Sequence, residues 1–185
     1  MAILRVLGIA GSLRQGSYNR RLLEAATEAL TDADWAIGRL RGIPPYDADV
    51  EARGNPPAVV QLKDLIEAAD ALVIATPEYN HSIPGVLKNA IDWASRPAHR
   101  SPLVGKPVVL LGASPGRGGA RRALEHLRQV LESTDAIPLP HELSVAGVRE
   151  RLEDGSFDAT LIDELRQVLG QLQRTEVMAA GTAKE

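Results

Sequence analysis

Short apolar segments alternate with longer amphipathic ones along most of this 185-residue chain. The short segments end in turn-forming residues, as buried strands do, and the longer ones carry apolar residues at helical spacing. We predict strands over residues 4–10, 35–40, 71–75, 107–112 and 136–139, the last interrupted by prolines. We predict helices over residues 19–30, 57–69, 84–94, 119–132 and 158–173.

This alternation predicts an α/β protein whose parallel sheet is covered by helices on both faces. Five strands and five helices indicate a single flavodoxin-like doubly wound domain with the strand order 2-1-3-4-5. We expect the domain to span residues 1–174, with a long loop at 41–57 and a flexible tail at 175–185. Such sheets bind ligands at the carboxyl ends of their strands. The loops at 11–19, 76–84 and 113–119 are therefore the candidate site.

The composition narrows the possible chemistry. The chain has no cysteine, which excludes disulfides, thiolate metal sites and thiol nucleophiles. Its net charge of -3 gives no reason to expect a nucleic-acid partner. No apolar run approaches the roughly 18 residues that span a bilayer, and the N-terminus lacks a signal-peptide pattern. We expect a cytoplasmic protein without a membrane partner or a metal site.

The first loop has the features of a phosphate-binding turn. It joins a buried strand to a helix and contains Ser12, Arg14, Ser17 and Asn19. Main-chain N–H groups at a helix N-terminus, with hydroxyl groups and an arginine nearby, bind phosphate dianions. The alternative is that Ser17 or Asn19 only caps the helix while Arg14 is solvated. The loop lacks both a Walker lysine and a Gly-x-Gly-x-x-Gly pattern, so a mononucleotide such as FMN is the candidate ligand.

The second loop is rigid and polar. Pro77 and Pro84 each fix their own φ angle, and they bracket a segment with exposed main-chain groups and polar side chains. A flavin presents alternating acceptors and a donor along its pyrimidine edge, which a rigid main chain can match. Donors beside that edge would also stabilise a reduced, anionic flavin. The alternatives are ordinary loop packing for Tyr79 and a solvated carboxylate for Glu78.

Taken together, the two loops resemble the NADPH-dependent FMN reductase family, which includes bacterial chromate and quinone reductases and azoreductase-like enzymes. The matching residues are Gly-Ser-Leu-Arg at 11–14, Ser17, Asn19, Pro-Glu-Tyr-Asn at 77–80, Pro-Gly at 84–85 and Leu-Lys-Asn-Ala-Ile-Asp-Trp at 87–93.

The resemblance implies one FMN per subunit. Its phosphate would be held by Ser12, Arg14, Ser17, Asn19 and the main chain of Tyr18, and its ring would contact Pro77, Glu78, Tyr79 and Asn80. The family has a similar Ser-Pro-Gly-x-Gly-Gly loop beside the flavin, so Ser114 is a further candidate.

The resemblance also implies a reaction and an assembly. NADPH or NADH would pass hydride to FMN, and a small-molecule acceptor such as a quinone, azo compound or metal oxyanion would take the electrons. The cofactor carries this chemistry, so we assign no catalytic side chain. The family further implies a homodimer or homotetramer whose subunits line the pocket, with Lys88, Trp93 and Arg96 as candidate contacts.

A hydrolase is the main rival interpretation. Residues 112–116 match the Gly-x-Ser-x-Gly nucleophile elbow around Ser114, and Asp135 and His141 follow in triad order. The residue after the serine must donate its N–H to the oxyanion, but here it is Pro115, which has none. Losing one such donor costs roughly 3–4 kcal/mol, so we disfavour this interpretation.

A flavodoxin-like electron carrier, or an FMN-binding protein without turnover of its own, is the second alternative. A carrier would be more acidic and would shield the flavin ring with aromatic side chains. The net charge of -3 and an aromatic content of 3% argue against it.

Overall fold

The computed structural model describes the backbone of residues 3–182 and the side chains of residues 3–173. The strands are β1 (Leu4–Ala10), β2 (Ala33–Gly38), β3 (Ala71–Thr76), β4 (Pro107–Ala113), β5 (Ile137–Pro138), β6 (Leu143–Val145), β7 (Leu152–Glu153) and β8 (Ser156–Phe157). The helices are α1 (Tyr18–Ala29), α2 (Ala48–Ala52), α3 (Pro57–Ala68), α4 (Gly85–Ala94), α5 (Arg121–Glu132) and α6 (Ala159–Thr182).

The main sheet is parallel and has the order β2-β1-β3-β4-β5, which confirms the predicted order. β3 is buried at every residue, as its continuous apolar sequence predicts. Two separate hydrophobic clusters cover the sheet. One contains α1 and α6 side chains such as Leu22 and Leu165, and the other contains α3, α4 and α5 side chains such as Leu62 and Leu127. The predicted helices on both faces are confirmed.

The fifth strand is divided into two short pieces. β5 pairs with the start of β4, and β6 pairs with its end at Leu111–Ala113, so β4 has two partners on this side. The N–H groups of Ile137 and Leu139 donate to the carbonyls of Lys106, directly before β4, and of Val108 within β4. Pro138 alternates with these donors, so its ring nitrogen faces away from β4. The prolines that interrupt this predicted strand therefore do not prevent it from pairing with β4.

Other boundaries differ from the predictions. The predicted loop at 41–57 contains the short helix α2, which begins after Asp47 because that carboxylate accepts a hydrogen bond from Asp49 N. A β7–β8 hairpin lies ahead of α6 and was not predicted. α6 continues to Thr182, well beyond residue 173. Residues 183–185 lie outside the described part of the chain, and the flexibility of the 175–185 tail stays a prediction.

The tryptophan of α4 packs inside the chain. Trp93 is fully buried, donates from Nε1 to Pro44 O at 2.9 Å and meets the Tyr46 ring edge-on at 5.0 Å between centroids. The proposed role of Trp93 as a subunit contact is therefore wrong. Within the described residues, no helix combines the length and apolarity needed to cross a membrane.

Candidate functional site

The three predicted loops meet at the carboxyl edge of the sheet. Gly11 N donates to Ala75 O at 2.8 Å, and a Cβ on Gly11 would lie 2.8 Å from the Thr76 hydroxyl oxygen. Glycine is therefore needed for this close approach of the first and second loops. Ser12 Oγ lies 3.4 Å from the Tyr79 hydroxyl, which links the candidate phosphate and ring residues directly.

The first loop presents hydrogen-bond donors at the start of α1. Ser12 and Ser17 are buried, and Ser17 caps the helix by accepting from Arg20 N at 3.4 Å. The first i to i−4 hydrogen bond of α1 runs from Arg21 N to Ser17 O. The N–H groups of Tyr18 and Asn19 precede that bond and are among those a helix leaves for a ligand.

Cationic groups surround this helix start. The Arg14 guanidinium lies 5.8 Å from the centroid of the Tyr18 ring, and Arg149 Nε donates to the Tyr18 hydroxyl at 3.2 Å. Arg14 N also donates to Ser12 Oγ at 3.3 Å. Hydroxyls, helix N–H groups and guanidinium groups are the donor set that suits a phosphate dianion, so the residues present fit the phosphate of FMN. Arg149 was not predicted from the sequence.

The Asn19 side chain is used within the protein. Its Nδ2 donates to Ala113 O at 2.9 Å and its Oδ1 accepts from Ala113 N at 2.8 Å. Both residues are buried, so this pair fastens the start of α1 to the end of β4. The predicted contact of Asn19 with a phosphate is thus left mainly to its main-chain N–H.

The second loop contains a tight turn. Tyr79 N donates to Ser82 O at 2.9 Å and Ser82 N donates to Tyr79 O at 3.0 Å, which makes a two-residue hairpin. Asn80 and His81 between them have φ angles of 50° and 65°. Two successive positive φ angles define a type I′ turn, for which asparagine is a preferred residue and histidine is not. Tyr79 is 49% exposed, so its ring is open to a ligand.

The Glu78 side chain points away from solvent and toward α5. Its carboxylate accepts from Arg122 Nε at 3.0 Å and from Arg122 N at 3.2 Å, and it lies 3.4 Å from His81 Nδ1. Burial by itself would raise the pKa of Glu78, but the hydrogen bond with His81 and the charge of Arg122 outweigh it, so the pKa lies below its ordinary value. Glu78 is therefore ionised at neutral pH. Because its carboxylate is engaged by Arg122 and His81, any contact between Glu78 and a flavin would be made by its main chain.

The third loop borders the same edge but does not form a hydrolase site. Ser114 Oγ accepts from Gly116 N at 3.1 Å. Asp135 lies ahead of β5, at the opposite edge of the parallel sheet, and contacts His99 at 2.7 Å. His141 is tied through its main chain to the Gln171 side chain. The three triad candidates are therefore not brought together. Among the described residues, no group of three histidine or acidic side chains could hold a metal ion.

Two residues of α5 contact the second loop, and neither contact was predicted from the sequence. These are Arg122, which pairs with Glu78, and His126, whose Nδ1 lies 2.7 Å from Ser82 Oγ. A signal was present in the sequence, because the start of α5 has neither a capping side chain nor an acidic residue in its first turn. The N–H groups of such a helix start are free to take an acceptor from elsewhere in the protein, from water or from a ligand.

Comparison with known proteins agrees with this geometry. The family model for NADPH-dependent FMN reductase matches residues 4–150. An NAD(P)H-dependent FMN reductase of Pseudomonas aeruginosa is 47% identical over 172 residues, covering 91% of this chain and 90% of that protein. A quinone reductase of Escherichia coli K12 is 41% identical over 175 residues, which cover 91% of this chain and 92% of that protein. Among solved structures, the flavoenzyme NAD(P)H:(acceptor) oxidoreductase FerB of Paracoccus denitrificans has a TM-score of 0.80 and 31% identity. The match covers 93% of this chain and 98% of that one.

Proposed function

The chain belongs to the NADPH-dependent FMN reductase family, and we propose that it passes electrons from NADPH or NADH through FMN to a quinone. It is an NAD(P)H-dependent flavoenzyme, and its cofactor is FMN. The choice of a quinone is supported by the relative of 41% identity, which is a quinone reductase. Azo compounds and metal oxyanions are further proposed acceptors, and they can be tested in place of the quinone in the spectroscopic assay described below.

The observation that carries the proposal is the junction of the first and second loops at Ser12 and Tyr79. A phosphate-binding helix start and a rigid polar turn lie side by side, so one mononucleotide can reach both. We assign the phosphate to Ser12, Arg14, Ser17 and the N–H groups of Tyr18 and Asn19. We assign the flavin ring to the segment Pro77, Glu78, Tyr79 and Asn80, and we place Ser114 beside the flavin as a further contact.

The protein residues bind and orient rather than react. FMN, when bound, supplies the ring that takes hydride from the nicotinamide and yields electrons to the acceptor. Glu78 is ionised and held by Arg122, and the Asn19 amide is held by Ala113, so these two groups position the loops. We therefore propose no side chain as a general acid or base.

We further propose that the protein forms a homodimer or homotetramer in the cytoplasm. Leu13, Tyr79 and Val86, at the phosphate loop, the turn and the start of α4, are exposed large hydrophobic side chains. A second subunit that covered them would exclude water from the ring. The absence of cysteine from the sequence suits a reducing compartment.

Anaerobic spectroscopy tests the proposal. Purified protein should be yellow, added FMN should raise the melting temperature of the stripped protein, and NADPH or NADH should bleach the flavin until a quinone restores its colour. Riboflavin should stabilise the protein less than FMN, because it lacks the phosphate. Replacing Arg14 by Gln should weaken FMN binding by about tenfold or more, since a charged hydrogen bond contributes roughly 1.5–3 kcal/mol. Failure of FMN to bind, or of nicotinamide to bleach it, would refute the proposal.

A further inference from the structure

Helix α5 begins without a cap of its own. Its N-cap residue, Ala120, has no polar side chain that could accept a hydrogen bond from the helix start. The first turn of α5 holds two arginines and no acidic residue. Basic residues at that end oppose the helix dipole. Glu78, 44 residues earlier, fills the role by accepting from Arg122 N and from Arg122 Nε. The Glu78 side chain is only 12% exposed.

A second contact joins the same two elements one turn further along the helix. Ser82 Oγ and His126 Nδ1 lie 2.7 Å apart, and His126 is four residues after Arg122. Because residues i and i+4 share a helix face, one face of α5 holds both ends of the turn, before Tyr79 and at Ser82. The turn between them contains Asn80 and His81 at positive φ, and such support offsets the cost of that conformation at His81.

We propose that Arg122 and His126 are positioning residues for the flavin, acting through Glu78 and Ser82 on the turn at 79–82. Arg122 has a second effect, because it neutralises a buried carboxylate in the loop assigned to the ring. Without Arg122 the Glu78 carboxylate would keep only its contact with His81, and its less compensated negative charge would disfavour the reduced, more electron-rich flavin and make its midpoint potential more negative. This inference rests on the proposed function for its effect on FMN.

The variants Arg122→Gln and His126→Leu test the two contacts separately. The first readout needs no cofactor, namely hydrogen exchange of the Tyr79 and Ser82 amides, which bond across the turn. We expect each variant to speed their exchange in the FMN-free protein by about tenfold, the factor that corresponds to about 1.4 kcal/mol. The second readout is the dissociation constant of FMN, which should rise by a similar factor.

The midpoint potential of the bound flavin separates positioning from loss of structure. It should become more negative in Arg122→Gln, return toward the wild-type value in the double variant Glu78→Gln/Arg122→Gln, and stay unchanged in His126→Leu. Arg121→Gln is the matched control, because Arg121 is the adjacent arginine but pairs with Glu125 on the same helix. All three readouts should stay at wild-type values in that control.

The outcomes distinguish this inference from the proposed function. Wild-type exchange rates at Tyr79 and Ser82 in Arg122→Gln and in His126→Leu would overturn the positioning role, even with FMN bound tightly. An unchanged potential in Arg122→Gln would overturn the electrostatic part. If the wild-type protein fails to bind FMN while the variants still loosen the turn, the proposed function is wrong and the support of the turn by α5 stands.

Discussion

The carboxamide of Asn19 allows a quantitative prediction, because both of its polar ends bond a single buried residue. Replacing Asn19 by Ala leaves the N–H and the C=O of Ala113 without their partners, and Ala113 is 1% exposed. An unsatisfied buried polar group costs about 1–3 kcal/mol, so the two together should lower the free energy of unfolding by roughly 2–6 kcal/mol. Domains have only about 5–15 kcal/mol in total, so this is a large loss.

Urea unfolding of the FMN-free protein measures this loss, because omitting the cofactor removes any effect on phosphate binding. Fluorescence of the two tryptophans, Trp35 and the buried Trp93, reports the transition, and the difference in midpoint at constant slope gives the change in free energy. Arg20→Ala is the matched control. Arg20 follows Asn19 in α1, and its side chain makes an exposed i,i+4 pair with Glu24. The control should change stability by less than about 1 kcal/mol.

If Asn19→Ala lowers the free energy of unfolding by no more than the Arg20→Ala control, the bond to Ala113 is not what fastens α1 to β4. In that case water would have to satisfy Ala113, and the Asn19 amide would be available to a phosphate after all.

Three further changes have defined outcomes. The pKa of Asp158 is lowered chiefly by its hydrogen bond from Arg151, so this carboxylate stabilises the fold most fully above its ordinary pKa of about 3.9 and loses that contribution as the pH falls below it. In pH-dependent urea unfolding, Asp158→Asn should therefore be less stable than wild type at pH 7, and the difference should shrink as the pH is lowered below about 3.9. Gly112→Val should cost about 1–3 kcal/mol in the same assay, because its Cβ would lie 2.6 Å from Ala120 Cβ. Trp93→Phe should lower the melting temperature, because it removes a hydrogen bond worth about 0.5–1.5 kcal/mol and leaves a cavity. A melting temperature of Trp93→Phe equal to that of the wild type would contradict this last prediction.

The sheet was predictable because its central strands are short apolar segments buried on both faces. The ends of β1, β3 and β4 fall within one residue of the predicted ends, and the strand order follows from the alternation with helices. Elements with few apolar residues were harder to predict. α2 depends on one capping carboxylate at Asp47, and the β7–β8 hairpin has two residues in each strand.

The candidate site was predictable in position but not in how each side chain is used. Asn19 and Glu78 lie in the predicted loops, yet their side chains bond Ala113 and Arg122, which are 94 and 44 residues away along the chain. A polar side chain at a helix start suits a ligand and a distant main-chain group equally well, so local sequence cannot distinguish them. Only the missing cap of α5 pointed to one of these long-range contacts.

The alternation of donors and prolines at β5 has a consequence for solubility. An edge strand of a sheet normally offers unpaired N–H groups to any other chain that approaches. Here the inward positions Ile137 and Leu139 carry the donors used by β4, whereas Pro138 occupies the outward position and Pro140 follows with the same alternation. A second strand would find no donor at either proline, so this border resists edge-to-edge aggregation without any loss of pairing inside the sheet.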